Sequence, residues 1–382
     1  MKNYIKIKNK TEMSGFYIVY YGSTLNEKPG TYGISHLLEH LVCKGIDHLM
    51  EDLERDGISW NAYTSDKEIV FYMTGLDEYV NKWKIPFYEN ILNFKITQKQ
   101  FLNEKDIVIA EYEKSFNTQD ESHSLNLYRK LFDNYGPIGL KQDLESITLD
   151  DCKNYFELQY KKPHKIIDVS KHKHLTEETY FKNIDYSKTN FLNNKIKYVK
   201  NYYCDYENFI YEKGNEYKKE VSILMLSPIV EEDFAILEFI SKMLSGGLRS
   251  PLVYEVREKL GLVYSIGSYL HKITNKSGVF VISTETQIKN SKKVIDTVSD
   301  IMSNPKKYLT KERFDIVKQN FDIKFRKEKE NQYTNVNKWI EPKHFLLENI
   351  LEDLTYQKVL EVFDKHLMLN NLYISTDLNE FK

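Results

Sequence analysis

The order of hydrophobic and polar positions predicts a succession of strands and helices along the chain. Residues 4–8 and 15–21 have the pattern of half-buried strands, with a polar turn between them. Apolar residues spaced three and four positions apart predict helices that follow these strands. The other predicted strands are 58–64, 68–74 and 165–170, and the predicted helices are 33–45, 49–55, 77–94, 97–113, 125–133 and a capped helix that begins at Thr148.

The second half of the chain repeats this order of elements. Strands predicted at 208–212 and 220–226 precede an apolar helix, and a strand at 372–376 closes the repeat. Corresponding blocks lie about 200 residues apart, which indicates two copies of one module. We therefore predict an α+β fold of two homologous domains, each a mainly antiparallel sheet with helices packed on it. The predicted domains are 1–185 and 203–382, joined by a polar linker at 186–202.

Composition and charge exclude several classes of protein. The chain has 382 residues, 41% of them hydrophobic, which is enough for two domains with their own cores. Its formal net charge is −2, so no general attraction to nucleic acid or to an anionic membrane is expected. The three cysteines are scattered and predict no disulfide framework, and the apolar run at 16–21 is too short for a signal peptide or a membrane span. We expect a cytoplasmic protein with neither nucleic-acid nor membrane partners.

One predicted helix carries residues that can bind a metal ion. His36 and His40 are four residues apart, so their side chains lie one above the other on the same helix face. Two imidazoles at this spacing can bind one Zn²⁺, and Glu39 beside them can reach a water at the metal. The order is His-x-x-Glu-His, the reverse of the more common His-Glu-x-x-His. The alternative is a pair of partly exposed helix histidines that bind nothing.

The internal repeat favours the metal-binding interpretation. We aligned the two copies on Gly45 and Gly247, the glycines that end the two helices. The counterparts of the His-x-x-Glu-His residues are then Glu238, Ser241 and Lys242. A requirement of folding would act on both copies alike, whereas chemistry needs its residues in only one of them.

A third ligand is expected from the helix predicted at 97–113. Catalytic zinc sites usually take three protein ligands and leave one position open. Glu104 and Glu111 are seven residues apart and therefore share a helix face with Ile107 and Val108. A carboxylate on an apolar face is costly to desolvate unless it is paired or bound to a metal. We predict that Glu111 is the third ligand and that Glu104 orients one of the ligands.

These motifs resemble the pitrilysin, insulinase and mitochondrial processing peptidase family of zinc metallopeptidases, in its short form with two homologous domains. The resemblance spans nearly the whole chain, in the expected order. It rests on Gly22-Ser with Glu27, Gly33-x-x-His36-Leu-Leu-Glu39-His40-Leu, Asn61-Ala-x-Thr64-Ser, Glu104-x-x-Ile-Val-x-x-Glu111, Gly247-x-x-Ser250 and Arg257-Glu-Lys-x-Gly261-Leu-Val-Tyr264.

The resemblance implies a processing-peptidase-like fold and a zinc-dependent endopeptidase that holds one Zn²⁺ per chain. It implies that His36, His40 and Glu111 bind the metal and that Glu39 activates the water that attacks the peptide bond. Glu104 would support the ligands from behind.

The resemblance also implies how the substrate is held. Asn61 and Ala62 would lie on a sheet edge to which an extended substrate adds by backbone hydrogen bonds. Arg257 and Tyr264 of the second domain would bind the substrate and steady the reacting carbonyl. The expected substrates are peptides or unfolded protein segments held in a cleft between the two domains, and the expected assembly is a homodimer or a heterodimer with a related subunit.

Two other functions stay open. The first is a non-catalytic or regulatory subunit of the same fold that binds peptide segments in a heterodimeric peptidase, against which the retention of Glu39 argues. The second is a zinc hydrolase that does not act on peptides, which the Arg257 and Tyr264 motif disfavours.

Overall fold

The computed structural model describes residues 4–117, 125, 129, 134–160, 164–171, 220–229, 233–274, 277–330, 340 and 347–376. They form two compact units. Unit 1 contains the described residues of 1–115, 134–192 and 327–341, and unit 2 contains those of 116–133, 193–326 and 342–382. The linker predicted at 186–202, the strand at 208–212 and most of the helix at 125–133 lie outside the described residues.

Unit 1 is built on a five-stranded sheet. Its strand order is β1-β5-β2-β4-β3, and neighbouring strands are antiparallel except for β1 and β5, which are parallel. The strands are β1 (Tyr4–Lys8), β2 (Met13–Tyr21), β3 (Ser59–Thr64), β4 (Glu68–Leu76) and β5 (Lys165–Ser170). The helices are α1 (Ile34–Gly45), α2 (Met50–Arg55), α3 (Asp77–Leu92), α4 (Gln98–Asn117), α5 (Lys141–Ser146) and α6 (Leu149–Tyr155), with 3₁₀ turns at Ser23–Asn26 and Asp47–Leu49 and a π turn at Phe156–Tyr160.

Unit 2 is built on an antiparallel sheet, whose four described strands have the order β7-β8-β6-β9. The strands are β6 (Glu220–Ile229), β7 (Val263–Lys272), β8 (Gly278–Gln287) and β9 (Tyr373–Thr376). The helices are α7 (Phe234–Ser245), α8 (Ser291–Ser303), α9 (Pro305–Tyr308), α10 (Lys311–Glu330), α11 (Leu347–Ile350) and α12 (Tyr356–His366), with a π-helical segment at Val253–Lys259 and 3₁₀ turns at Ile288–Asn290 and Leu369–Asn371.

The two sheets share a run of four strands in the same spatial and sequential order. The run β5-β2-β4-β3 of unit 1 corresponds to the run β9-β6-β8-β7 of unit 2. In unit 1, α1 and β3 lie between β2 and β4 in the sequence. In unit 2, α7 and β7 lie in the same way between β6 and β8. The predicted α+β fold with an internal repeat is confirmed, while the predicted domain bounds stay a prediction.

Helix α1 is buried on two of its sides, as its apolar spacing of three and four residues requires. Leu38 and Val42 pack in the cluster that covers one face of the first sheet. Leu37 and Leu41 pack in a second cluster with residues of α4, α5 and α6. The remaining, partly exposed side of α1 carries the two histidines. No helix among the described residues combines the length and the apolar composition that crossing a membrane requires.

Candidate metal centre

Three side chains direct ligand atoms towards one point. The Nε2 atoms of His36 and His40 each lie 3.6 Å from Oε2 of Glu111. One ligand atom from each residue lies within 4.8 Å of the other two. Among the described residues, this is the only group of three or more potential metal ligands that lie so close together. The separations are too long for hydrogen bonds. They are close to the distance of about 3.4 Å between ligand atoms that zinc bonds of about 2.0–2.1 Å impose in a tetrahedral site.

The protonation state of His36 also suits a metal ligand. Burial, with a smaller contribution from His40, lowers the pKa of the His36 imidazole to about 4. The ring is therefore neutral at pH 7, the form that binds metal ions. Its Nδ1 is enclosed and has no hydrogen-bond partner among the described residues, which leaves Nε2 as the atom that faces Glu111. The donor set, its spacing and the neutral His36 ring thus fit a zinc ion.

Glu104 lies behind His40. Its Oε2 is 3.5 Å from Nδ1 of His40, on the opposite side of the ring from Glu111. A carboxylate in this position favours the tautomer with the proton on Nδ1 and leaves the Nε2 lone pair for a metal. The orienting role that the sequence predicted for Glu104 stays a prediction.

The sequence of α4 brings both glutamates to α1. Phe101 and Val108 are buried against α1, and Glu104 and Glu111 each follow one of them by three residues, on the adjacent stripe of the helix. Ile107 is 46% exposed, so Val108 is the apolar residue of this face that is buried. The glutamates therefore lie at the border of the buried face, and 44% of the Glu111 side chain remains open to solvent.

Glu39 is buried beside the ligand group. Its Oε2 accepts a hydrogen bond of 2.5 Å from Oγ1 of Thr64, the last residue of β3. Burial raises the pKa of the Glu39 carboxyl, and the Thr64 hydrogen bond partly opposes that shift. Thr64 appeared in the sequence only as part of a motif, and its contact with Glu39 was not predicted.

Two carboxylates that the sequence analysis left without a role bind the start of α1. The Gly33 N–H donates to Oε2 of Glu27 (2.8 Å), and the Ser35 N–H donates to Oε1 of Glu27 (2.9 Å). The Tyr32 N–H donates to Oδ2 of Asp143 (3.0 Å). The first amides of a helix lack partners within the helix and attract negative charge. These contacts fix where α1 starts and hence how its histidines are turned.

Asn61 and Ala62 lie on β3, at one edge of the first sheet among the described strands. The Ala62 N–H donates to Oδ1 of Asn61 over 2.8 Å. Since the same strand ends at Thr64, the predicted substrate strand is connected directly to Glu39. The substrate role of these two residues stays a prediction.

Arg257 and Tyr264 lie together in unit 2. The guanidinium carbon of Arg257 is 6.0 Å from the centre of the Tyr264 ring, and Tyr264 is 90% exposed. The other predicted site residues belong to unit 1. The role of this pair towards a substrate stays a prediction.

The second unit lacks the corresponding ligands. Lys242 on α7 stands at the position of His40, as the alignment of the two copies indicated. When α10 is aligned with α4 on their first buried phenylalanine, Val317 and Lys324 take the positions of the two glutamates. Val317 is buried in the apolar core of unit 2, and Lys324 carries a positive charge. These residues cannot hold a cation at that point.

Comparison with known sequences matches both halves of the chain. The family model described as "Insulinase (Peptidase family M16)" matches residues 7–137, and the one described as "Peptidase M16 inactive domain" matches residues 167–321. An uncharacterized zinc protease of Bacillus subtilis (strain 168) is 24% identical over 307 residues, which are 74% of this chain and 70% of that protein. The probable mitochondrial-processing peptidase subunit beta of Arabidopsis thaliana is 29% identical over 165 residues. That match covers 40% of this chain but only 31% of the Arabidopsis protein.

Comparison with solved structures supports the same fold. The crystal structure of a protease from Helicobacter pylori superimposes with a TM-score of 0.77, covering 98% of this chain and 96% of that chain. Its sequence identity is 17%, so the likeness concerns the fold.

Proposed function

Because the chain belongs to the insulinase family of peptidases, family M16, we propose that it is a zinc-dependent endopeptidase that cleaves peptides or unfolded polypeptide segments. The observation that carries the proposal is the convergence of His36, His40 and Glu111 on one point, with Glu39 buried beside them. Several relatives bear the name zinc protease, which agrees with that donor set.

The three converging side chains would hold one Zn²⁺ per chain. Zinc, when bound, polarises the carbonyl of the scissile bond and lowers the pKa of a water towards about 7. Glu104 keeps the His40 ring turned towards the site through Nδ1. The exposed part of Glu111 leaves an open side from which water and substrate can enter.

Glu39 is the proposed general base. Its Oε1, the oxygen that does not bind Thr64, would accept a proton from the attacking water and later deliver it to the leaving amine. The raised pKa of this carboxyl lies closer to neutral pH than that of an ordinary glutamate. A general base works best when its pKa is near the working pH, because it is then ionised and still accepts a proton readily. The Thr64 hydroxyl holds the carboxylate in one orientation.

The edge of β3 is the proposed substrate strand. An extended peptide could add to this edge, with its backbone bonding to groups near Asn61 and Ala62. The Ala62 N–H, which donates to the Asn61 side chain, would exchange that acceptor for a substrate carbonyl. Arg257 and Tyr264 are the proposed contacts from unit 2, where a cation and a phenol together suit a peptide carbonyl that gains negative charge.

We also propose that the chain works as a dimer, either with a second copy or with a related subunit. Relatives named as the beta subunit of the mitochondrial-processing peptidase support this proposal. A non-catalytic subunit of such a pair is the alternative function, and it predicts zinc binding without cleavage.

The Glu39→Gln variant tests the proposed chemistry. Glutamine keeps the size of the side chain and can still bond to Thr64, but it cannot accept the proton. We expect the cleavage rate of a quenched peptide library to fall about 10²–10⁴-fold, the effect of losing a general base. Zinc content, measured by mass spectrometry of the purified protein, should remain near one per chain.

Two variants of α4 provide matched controls. Glu111→Gln should lose both zinc and cleavage, whereas Glu113→Gln should keep both, because Glu113 is exposed and pairs with Lys141 over 2.5 Å. Equal cleavage by wild type and Glu39→Gln would remove Glu39 from the mechanism. Zinc binding by wild type without any cleavage would favour the non-catalytic subunit.

A further inference from the structure

Strand β7 contains a bulge directly beside the exposed Tyr264. Val263 pairs with Thr286 of β8, and the next regular pair joins Ile266 to Thr284. Three steps along β7 therefore lie opposite two steps along β8. Such a bulge inserts an extra residue, interrupts the ladder of hydrogen bonds and redirects the side chains that it contains.

Two threonine hydroxyls of β8 bond to backbone carbonyls on either side of Tyr264. Oγ1 of Thr286 donates to the carbonyl of Leu262 (2.5 Å), and Oγ1 of Thr284 donates to the carbonyl of Ser265 (2.6 Å). Both threonines are buried. Each hydroxyl gives a backbone carbonyl beside Tyr264 a hydrogen-bond partner, so the two hydroxyls stabilise the backbone on either side of the bulge.

Two backbone hydrogen bonds connect the bulge to the segment that carries Arg257. The Leu262 N–H donates to the carbonyl of Val256 over 3.1 Å, and the Gly261 N–H donates to the carbonyl of Arg257 over 3.0 Å. Leu262 is thereby held through its N–H to the helical segment that carries Arg257 and through its carbonyl to β8. The position of the arginine relative to the tyrosine ring therefore depends on how Gly261 and Leu262 are held.

We propose that Thr284 and Thr286 are positioning residues for the Tyr264 and Arg257 pair. They hold the bulge in the conformation that exposes the tyrosine ring beneath the guanidinium group. The inference rests on the proposed function, because it assigns the positioned pair to binding of a peptide substrate. Neither threonine touches the substrate itself.

The test is the double variant Thr284→Val/Thr286→Val, which keeps the shape of both side chains and removes both hydroxyls. Thr376→Val is the matched control, because Thr376 is buried in the same sheet and its hydroxyl has no hydrogen-bond partner among the described residues. The double variant Thr284→Ser/Thr286→Ser restores the hydroxyls. Each change is combined with Glu39→Gln, so that binding of a fluorescent peptide substrate can be measured without cleavage.

We expect the valine double variant to weaken peptide binding about three- to tenfold, the effect of losing a hydrogen bond or two. The serine variant and Thr376→Val should bind within about twofold of the parent, a difference smaller than one net hydrogen bond. In combination with Tyr264→Ala, the valine changes should have no further effect on binding, since residues that act through one another are not additive.

Hydrogen exchange of residues 262–270 provides a readout that needs neither zinc nor substrate. Exchange there should accelerate in the valine variant and stay unchanged in Thr376→Val. If the valine changes weaken binding equally with and without Tyr264, or if exchange in this segment does not change, the positioning role is overturned. If wild type neither binds zinc nor cleaves, the proposed function fails, while the exchange data still decide whether the hydroxyls hold the bulge.

Discussion

Glu27 binds the first turn of α1 through both of its carboxylate oxygens, at the end of the helix where unpaired amides create a positive potential. It sits next to the motif that bears the metal ligands, yet it touches none of them. Its contribution is to fix the start of the helix on which they stand. Because these contacts exist only in the folded protein, the pKa of Glu27 differs between the folded and the unfolded chain.

We expect Glu27 to make stability depend on pH. Burial raises the pKa of its carboxyl from 4.5 to about 7, although the two amide hydrogen bonds lower it. The folded protein therefore binds this proton more tightly than the unfolded chain, so the free energy of unfolding from this group falls as pH rises from about 4.5 to 7. Urea unfolding at several pH values in this window, with chelator present, should show a weaker decline for Glu27→Gln than for wild type. Glu113→Gln should retain the wild-type slope, and an equal slope in Glu27→Gln would contradict the prediction.

The sequence predicted those candidate site residues that are regularly spaced along a single helix. His36 and His40 follow the period of α1, and Glu104 and Glu111 follow the period of α4. Thr64 could not be assigned in this way, because its contact with Glu39 joins a strand to a helix. Such a contact depends on how the elements pack, which no spacing within either element specifies.

At the scale of elements, the start of α1 is fixed by a close approach between two glycines. A Cβ atom on Gly139 would lie 2.4 Å from Cα of Gly33 and from the carbonyl oxygen of Tyr32. No side chain fits there without moving the N-terminus of the helix. The loop before α5 and the first turn of α1 therefore determine each other's position.

Gly139→Ala should separate this steric effect from backbone strain when it is compared with Gly57→Ala. The two glycines have φ of +67° and +66°, but a Cβ on Gly57 meets nothing within 4 Å. Gly57→Ala should cost about 1–2 kcal/mol from the left-handed backbone alone. We expect Gly139→Ala to cost more than that in urea unfolding and, because α1 must shift, to weaken zinc binding in competition with a chelator. Equal stability and equal zinc affinity of the two variants would contradict the close contact.

The bulge in β7 could not be predicted from the pattern of apolar residues alone. The buried residues Val263 and Ile266 are three positions apart, whereas a regular strand places residues of one face two apart. This break in the alternation is a signal of a bulge, but the same spacing is also compatible with a helical turn. Only the pairing with β8 distinguishes the two structures.

At the scale of the whole molecule, the chain is built from two copies of one module that have diverged in chemistry. The sequence predicted the repeat because strands, helices and glycines recur in the same order, and the shared strand order confirms it. It did not predict that Ile340 packs on the first sheet, where its carbonyl accepts a hydrogen bond of 3.1 Å from the Tyr21 hydroxyl. A single apolar residue forms no repeating pattern, so the sequence could not indicate what Ile340 packs against.

Each unit has its own buried contacts, and unit 1 also contains a buried ion pair. Lys84 on α3 and Asp168 on β5 are both fully buried, with Nζ of Lys84 2.5 Å from Oδ1 of Asp168. The hydroxyl of Tyr4 donates to the other oxygen of Asp168 over 2.6 Å. The pair thus connects α3, β1 and β5. Removing one member of a buried pair leaves an uncompensated charge and typically costs about 3–5 kcal/mol.

We expect Lys84→Met to destabilise unit 1 selectively. Asp168 would remain buried without its cation, so amides of β1, β5 and α3 should exchange faster with deuterium, while amides of β6 and β8, whose core is separate, should keep their protection. Lys82→Met is the matched control, since Lys82 lies on the same helix but is exposed and pairs with Asp56; an exposed pair contributes about 0–1 kcal/mol. An equal loss of protection in both units would contradict the prediction. It would mean that the two units unfold together, although their apolar cores are separate.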